Sequence, residues 1–139
     1  MDSVILNNTI GENWKAFPDS GDLWSHCAVV PLYMLIMGIA GIQPVAAGFA
    51  RCRLHPQPAD LESMAVVVPT VRGPLSLETG GRKGDRTVSV RIPELCDAEI
   101  VFDAREQVPL KHMRRSPDGR TDVYTLPSGI DHVFHLVHT

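Results

Sequence analysis

Close to its start the chain places Glu12 two residues before Trp14, and Trp24 two residues before His26. A sugar presents apolar C–H faces that stack on an indole. Its hydroxyls take hydrogen bonds from an imidazole and give them to a carboxylate. A carboxylate, two tryptophans and a histidine within residues 12–26 therefore have the composition of a carbohydrate site. Each residue also has a plainer reading. Glu12 can be a solvated loop carboxylate or a helix cap. Trp14 can be core, the usual fate of a tryptophan. His26, next to an apolar stretch, can be a satisfied cap or core histidine.

Other residues invite chemistry less strongly. His132, His135 and His138 recur at every third position, which suggests a metal. On a strand, however, His132 and His138 face one side and His135 the other, and Val133, Phe134 and Val137 favour a strand. No metal and no cofactor is therefore expected. Cys27, Cys52 and Cys96 are odd in number, with no C-x-x-C spacing, so they are expected to be free thiols. The cluster Lys111-His-Met-Arg-Arg115 precedes the turn signal Ser116-Pro117-Asp118-Gly119 and is expected to be a solvated loop. With 13 basic against 16 acidic residues and a net charge of −3, the chain lacks the basic face a nucleic-acid binder needs.

The elements that must position these residues fall into two textures. Between Asp22 and Arg51 there is no formally charged residue. The apolar run over residues 27–42 is interrupted by Pro31, Gly38 and Gly41 and is shorter than the ~20 residues a membrane span needs. It predicts instead a helix from residue 29 or 31 to 39, with Pro31 in its first turn. That helix is apolar all round and so should be enclosed by protein. The N-terminus shows no basic n-region followed by a long apolar stretch, so neither an export signal nor a membrane anchor is expected in this sequence.

After Gly48 short apolar runs alternate with turn residues. Strands are predicted over residues 50–54, 63–68, 75–78, 87–92, 98–102, 122–126 and 132–137, with a long hairpin loop over 79–85. Short strands at this spacing predict an antiparallel β-sandwich. The fold class is therefore mainly β, a sandwich preceded by one or two helical elements. A division near residue 48 is expected, residues 1–47 being helical and 48–139 the sandwich. Aromatic residues make up only 6% of the chain, so the core should be chiefly aliphatic. In the strand over 87–92, Val88, Val90 and Ile92 should face that core, with Thr87, Ser89 and Arg91 facing outward.

The order of several motifs adds a resemblance. Thr9-Ile-Gly-Glu12-Asn-Trp14 is similar to the T-x-x-E-x-W segment of bacterial alpha-L-rhamnosidases of glycoside hydrolase family seventy-eight, and Ser25-His26 to the S-H element that leads into their last barrel helix. Ala40-Gly41-Ile42-Gln43-Pro44, Gly48-Phe49, Arg53-Leu54-His55-Pro56 and Val68-Pro69-Thr70-Val71-Arg72-Gly73-Pro74-Leu75 follow in the family's order. Gly11 stands where the family usually has an aromatic, and no tryptophan follows His26. These departures bear on the sugar more than on the fold, and a related helical-barrel glycosidase with another substrate is the alternative.

The resemblance implies the last part of a six-on-six helical barrel over residues 1–47, then a small β-sandwich over 48–139. It makes Glu12 the general base of an inverting hydrolysis, and His26 and Trp14 substrate-binding residues. The general acid of that reaction has no counterpart here, so the isolated chain is expected to be inactive. A rhamnoside-like carbohydrate is the implied partner within a full enzyme. Two other classes compete: a non-catalytic carbohydrate-binding or accessory sandwich, and a sandwich that only braces a barrel. The bare apolar helix further predicts a homo-oligomer of the isolated chain.

Overall fold

The computed structural model describes residues 29–108 and 112–138. The chain divides into two compact units, residues 1–35 and 36–139. In the first, Val29–Tyr33 form an α-helix (α1), followed along the chain by a π-helical stretch, Met34–Ile39. The predicted helix is present over its predicted span, with a wider winding in its second half. Val30, Leu32, Tyr33, Met34 and Leu35 are each 52–60% exposed. No helix among the described residues is long and apolar enough to cross a membrane.

The second unit is a β-sandwich. In chain order its strands are β1 (Ile42–Pro44), β2 (Arg51–Leu54), β3 (Ser63–Thr70), β4 (Gly73–Arg82), β5 (Asp85–Arg91), β6 (Asp97–Asp103), β7 (Glu106–Gln107), β8 (His112–Arg115), β9 (Thr121–Leu126) and β10 (Asp131–His138). One sheet runs β1-β2-β6-β9-β8 and the other β3-β4-β5-β10-β7. All pairings but one are antiparallel among the described residues. The exception is β2 with β6, which are parallel with Cys52 opposite Ala98. Parallel neighbours need a long crossover, and here β3, β4 and β5 supply it.

The inward faces form one core. Ile42, Cys52, Leu54, Ala98, Ile100, Phe102, Tyr124 and Leu126 come from the first sheet, and Leu75, Leu77, Val88, Val90, Phe134 and Leu136 from the second. Phe102 meets Phe134 across the layers edge-to-face, with ring centroids 6.0 Å apart, a favoured aromatic geometry. Along β5, Val88, Val90 and the following Ile92 are buried while Thr87 and Arg91 are exposed, as the alternation predicted. Arg86 shares the parity of Val88 and is buried too.

Two segments differ from the sequence reading. The loop predicted over 79–85 is mostly strand. β4 runs on through Thr79, Gly80 and Gly81 to Arg82, which pairs with Asp85 across a two-residue turn, Lys83-Gly84. Gly81 (φ +94°) is required there, because a Cβ would lie 2.5 Å from the Asp85 carbonyl oxygen. The basic cluster is also strand rather than loop. β8 pairs with β9, with Arg115 opposite Asp122, and ion pairs draw its arginines onto the sheet. Arg114 reaches Glu99 at 3.1 Å, and Arg115 grips Asp122 with two hydrogen bonds of 2.8 and 2.9 Å.

Candidate functional site

Glu12, Trp14 and His26 all lie outside the described residues, as do Trp24 and Cys27. Among the described residues, a group of charged and polar side chains gathers at one end of the sandwich, where the β2–β3 loop, the β4–β5 turn, the end of β6 and the start of β9 meet. A cavity of about 310 Å³ opens there, lined by His55, Gln57, Lys83, Arg86, Asp103 and Thr121 among others. Strand periodicity places Arg86 in its wall, pointing inward from β5, and Glu106, which is buried on β7, is its partner.

Arg86 and Glu106 form a buried ion pair. Arg86 Nη2 donates to Glu106 Oε2 at 3.1 Å, and the same oxygen accepts the Asp103 backbone N–H at 3.3 Å. The second contact, Arg86 Nε to Glu106 Oε1, is also 3.1 Å but off hydrogen-bond alignment. One aligned bond and Coulomb attraction therefore offset the desolvation of both ions. Stranding one of them should be expensive. Glu106→Ala is expected to destabilise the sandwich by about 3–5 kcal/mol, whereas Arg86→Leu with Glu106→Leu together should be much milder. Denaturant unfolding of the three proteins checks this; equal losses for single and double variants would show the pair is not what holds this end.

The remaining charges at this end are also spoken for. Asp103 accepts two hydrogen bonds from the Arg105 side chain, at 2.9 and 2.7 Å, and lies 3.7 Å from Lys83 Nζ. The Arg105 guanidinium, foremost, holds the Asp103 carboxyl well below the usual carboxylate range. Asp118, bonded by Ser116 and the Arg120 N–H, is lowered as well. These shifts oppose what a general acid requires, since an acid must keep its proton near neutrality. Burial pushes the His55 imidazole down, and Arg53 and Arg86 add to it, which favours the neutral ring. The arrangement can hold hydroxyls through neutral and balanced groups, but it offers no matched acid and base.

The C-terminal histidines do not converge. His132 is buried on the core side, stacked on Phe134, and donates from Nε2 to the Pro127 carbonyl at 2.8 Å. His135 faces outward, 3.4 Å from Asp85. Among the described residues no three His, Cys, Asp or Glu side chains are placed to share a metal ion. The Arg86–Glu106 pair went unnoticed in the sequence, although the alternation of β5 carries its signal.

Comparison with known proteins gives this fold a context. The family model for the bacterial alpha-L-rhamnosidase C-terminal domain matches residues 41–116. No curated protein matches the chain. Among solved structures, the chain is similar to the alpha-L-rhamnosidase of Streptomyces avermitilis in complex with L-rhamnose, with TM-score 0.67 and 24% identity, over 91% of this chain and 13% of that one. It is similar to the alpha-L-rhamnosidase from Dictyoglumus thermophilum, with TM-score 0.70 and 18% identity, over 96% of this chain and 17% of that one. For the Aspergillus terreus alpha-L-rhamnosidase the values are 0.63 and 23%, over 96% and 15%. The chain thus spans only 13–17% of the length of these structures.

Proposed function

The chain belongs to the bacterial alpha-L-rhamnosidase C-terminal domain family, and from that premise we propose that it works as the C-terminal portion of a longer glycosidase resembling the inverting alpha-L-rhamnosidases. In this reading residues 1–47 are the end of the helical barrel and carry the active-site loop, and residues 48–139 are the sandwich that braces it. Glu12 is the general base, and Trp14 and His26 hold the substrate, a rhamnoside-like carbohydrate. The observation that carries the reading is one of order: Thr9-Ile-Gly-Glu12-Asn-Trp14 and Ser25-His26 precede, in the same chain, the segment that matches the family.

An inverting hydrolysis needs a carboxylate to take a proton from water and a protonated carboxyl, ~6.5–9.5 Å away, to give one to the leaving oxygen. Glu12 supplies the first role only. The purified chain is therefore expected to show no turnover of an aryl rhamnoside, while the full-length enzyme is active. Turnover by the isolated chain, lost in Glu12→Gln, would mean that it holds a complete site and that the partial-site reading is wrong. A purely sugar-binding sandwich gains no support from the described aromatics: Phe102, Tyr124 and Phe134 are buried and Phe49 is partly buried against the core, leaving no exposed ring on the sandwich for a sugar to stack on.

The helical segment carries a second expectation. Leaving Leu32, Tyr33, Met34 and Leu35 in water forgoes ~1.5–3 kcal/mol for each large apolar side chain, and a contiguous patch of that kind favours an interface. The isolated chain should self-associate through residues 31–39, most simply as a two-fold dimer. Light scattering at micromolar concentration should give at least twice the 15.3 kDa chain mass, and Leu35→Glu should return it to monomer. A monomer unaffected by Leu35→Glu would remove this helix as the contact.

A further inference from the structure

Cys52 and Cys96 play no part in the function proposed above. Cys52 is the second residue of β2, and Cys96 immediately precedes β6, so both sit on the parallel seam of the first sheet. Both side chains are buried in the core. Their sulfur atoms are 3.6 Å apart, although they lie 44 positions apart in sequence, and Cys96 Sγ also lies 3.8 Å from the Asp97 carbonyl. A disulfide brings its sulfurs to ~2.05 Å.

We propose that Cys52 and Cys96 form a latent disulfide site, closed by exchange with a low-molecular-weight disulfide of the oxidised-glutathione class. One thiol loses its proton and attacks a sulfur of that disulfide, releasing one small thiol and leaving a mixed disulfide on the protein. The second thiol, also deprotonated, attacks the protein-side sulfur, releases the other small thiol and closes the Cys52–Cys96 bond. The protein is oxidised by two electrons and the small disulfide is reduced to two thiols. The folded chain hinders this exchange, since burial, chiefly, and the neighbouring Cys96 push the Cys52 thiol up and the thiolate is the attacking species. Closure therefore belongs to the chain as it folds or opens, and a formed bond is shielded from reductant.

The bond would have a definite architectural effect. The ring it closes contains β3, β4 and β5, three of the five strands of the second sheet. The β2–β6 seam pairs the two ends of that excursion. Linking its two sides removes loop-closure entropy from the unfolded chain, by an amount that grows with ring size.

The test uses the intact chain, unfolded in urea and refolded with oxidised and reduced glutathione, then quenched and mapped by mass spectrometry. The expected product has lost about 2 Da and yields linked peptides containing Cys52 and Cys96, with two thiols consumed. Its Tm should rise by at least ~5 °C over the reduced chain, reversed by dithiothreitol under unfolding conditions. Cys96→Ala and Cys52→Ala, each followed separately, should form no such link, and should match the reduced protein in secondary structure by circular dichroism. Recovery of glutathione adducts on Cys52 and Cys96, a dominant link to Cys27, or a linked product with a Tm no higher than that of the reduced chain would each overturn the proposal.

Discussion

On the proposed reading, in which the chain is the C-terminal portion of a longer glycosidase with Glu12 as general base, Glu12→Gln in that enzyme is expected to lower kcat by about 10²–10⁴-fold while leaving KM close to its original value. The amide keeps the size of the side chain and its capacity to hydrogen-bond a water, but it cannot take that water's proton. The loss therefore falls on the transition state rather than on substrate binding. His26→Ala should behave differently. If the imidazole holds a sugar hydroxyl, its removal should raise KM more than it lowers kcat. Product stereochemistry gives a separate check, since a base acting through water across ~6.5–9.5 Å inverts the anomeric centre. Should Glu12→Gln retain kcat within threefold, Glu12 would be a solvated loop carboxylate and the base would lie elsewhere in the enzyme.

How far the sequence anticipates the molecule depends on which physical signal each residue carries. The seven short apolar runs between turn residues all appear as strands, because an apolar segment of strand length bounded by turn residues leaves a direct imprint. β1, β7 and β8 left almost none. β1 and β7 are only three and two residues long, and β1 ends in proline. β8 carries arginines whose pairing with Glu99 and Asp122 is a tertiary fact. Thr79-Gly80-Gly81 looks like a loop by composition, yet the ladder recruits it: Thr79 sits on the buried face, and at Gly81 the Asp85 backbone approaches closely enough to exclude any side chain.

Arg86 is the opposite case. Its parity with Val88 and Val90 is a sequence signal for burial, whereas its partner Glu106, twenty residues on, is visible only in the fold. The parallel β2–β6 seam was hidden for the same reason, since pairing direction depends on how the crossover closes. For the proposed site residues the sequence offers only a motif. Neither composition nor periodicity distinguishes Glu12 from any other loop carboxylate, and the proposal for it rests on its order relative to Trp14, His26 and the sandwich.

The strongest stability prediction concerns a single pair of neighbours on β5. Val90 is 2% exposed. Across its strand it faces Leu77 on β4 and His132 on β10, both on the inner side. Val90→Asp places a carboxylate in this buried layer, where the neighbouring His132 Nε2 is already engaged with the Pro127 carbonyl. Burying an unpaired charge exceeds the ordinary range of point substitutions and is comparable with the ~5–15 kcal/mol that holds a domain of this size together. The variant is expected to be unfolded at pH 7, without the cooperative thermal transition of the parent. Acid should partly relieve it. The introduced carboxyl would have a folded-state pKa above its unfolded value, so its penalty is present at neutral pH and fades as the pH falls through that raised value. Ser89→Asp, one residue earlier, points the same group outward between Glu78 and Val133. Only a modest like-charge repulsion from Glu78 opposes it, and the change should stay within about 1 kcal/mol. Circular dichroism melts of the two variants side by side decide the matter. If Val90→Asp melts with the same midpoint as Ser89→Asp, the inward face of β5 has been assigned to the wrong side, and with it the register that sets the buried Arg86 beneath the cavity.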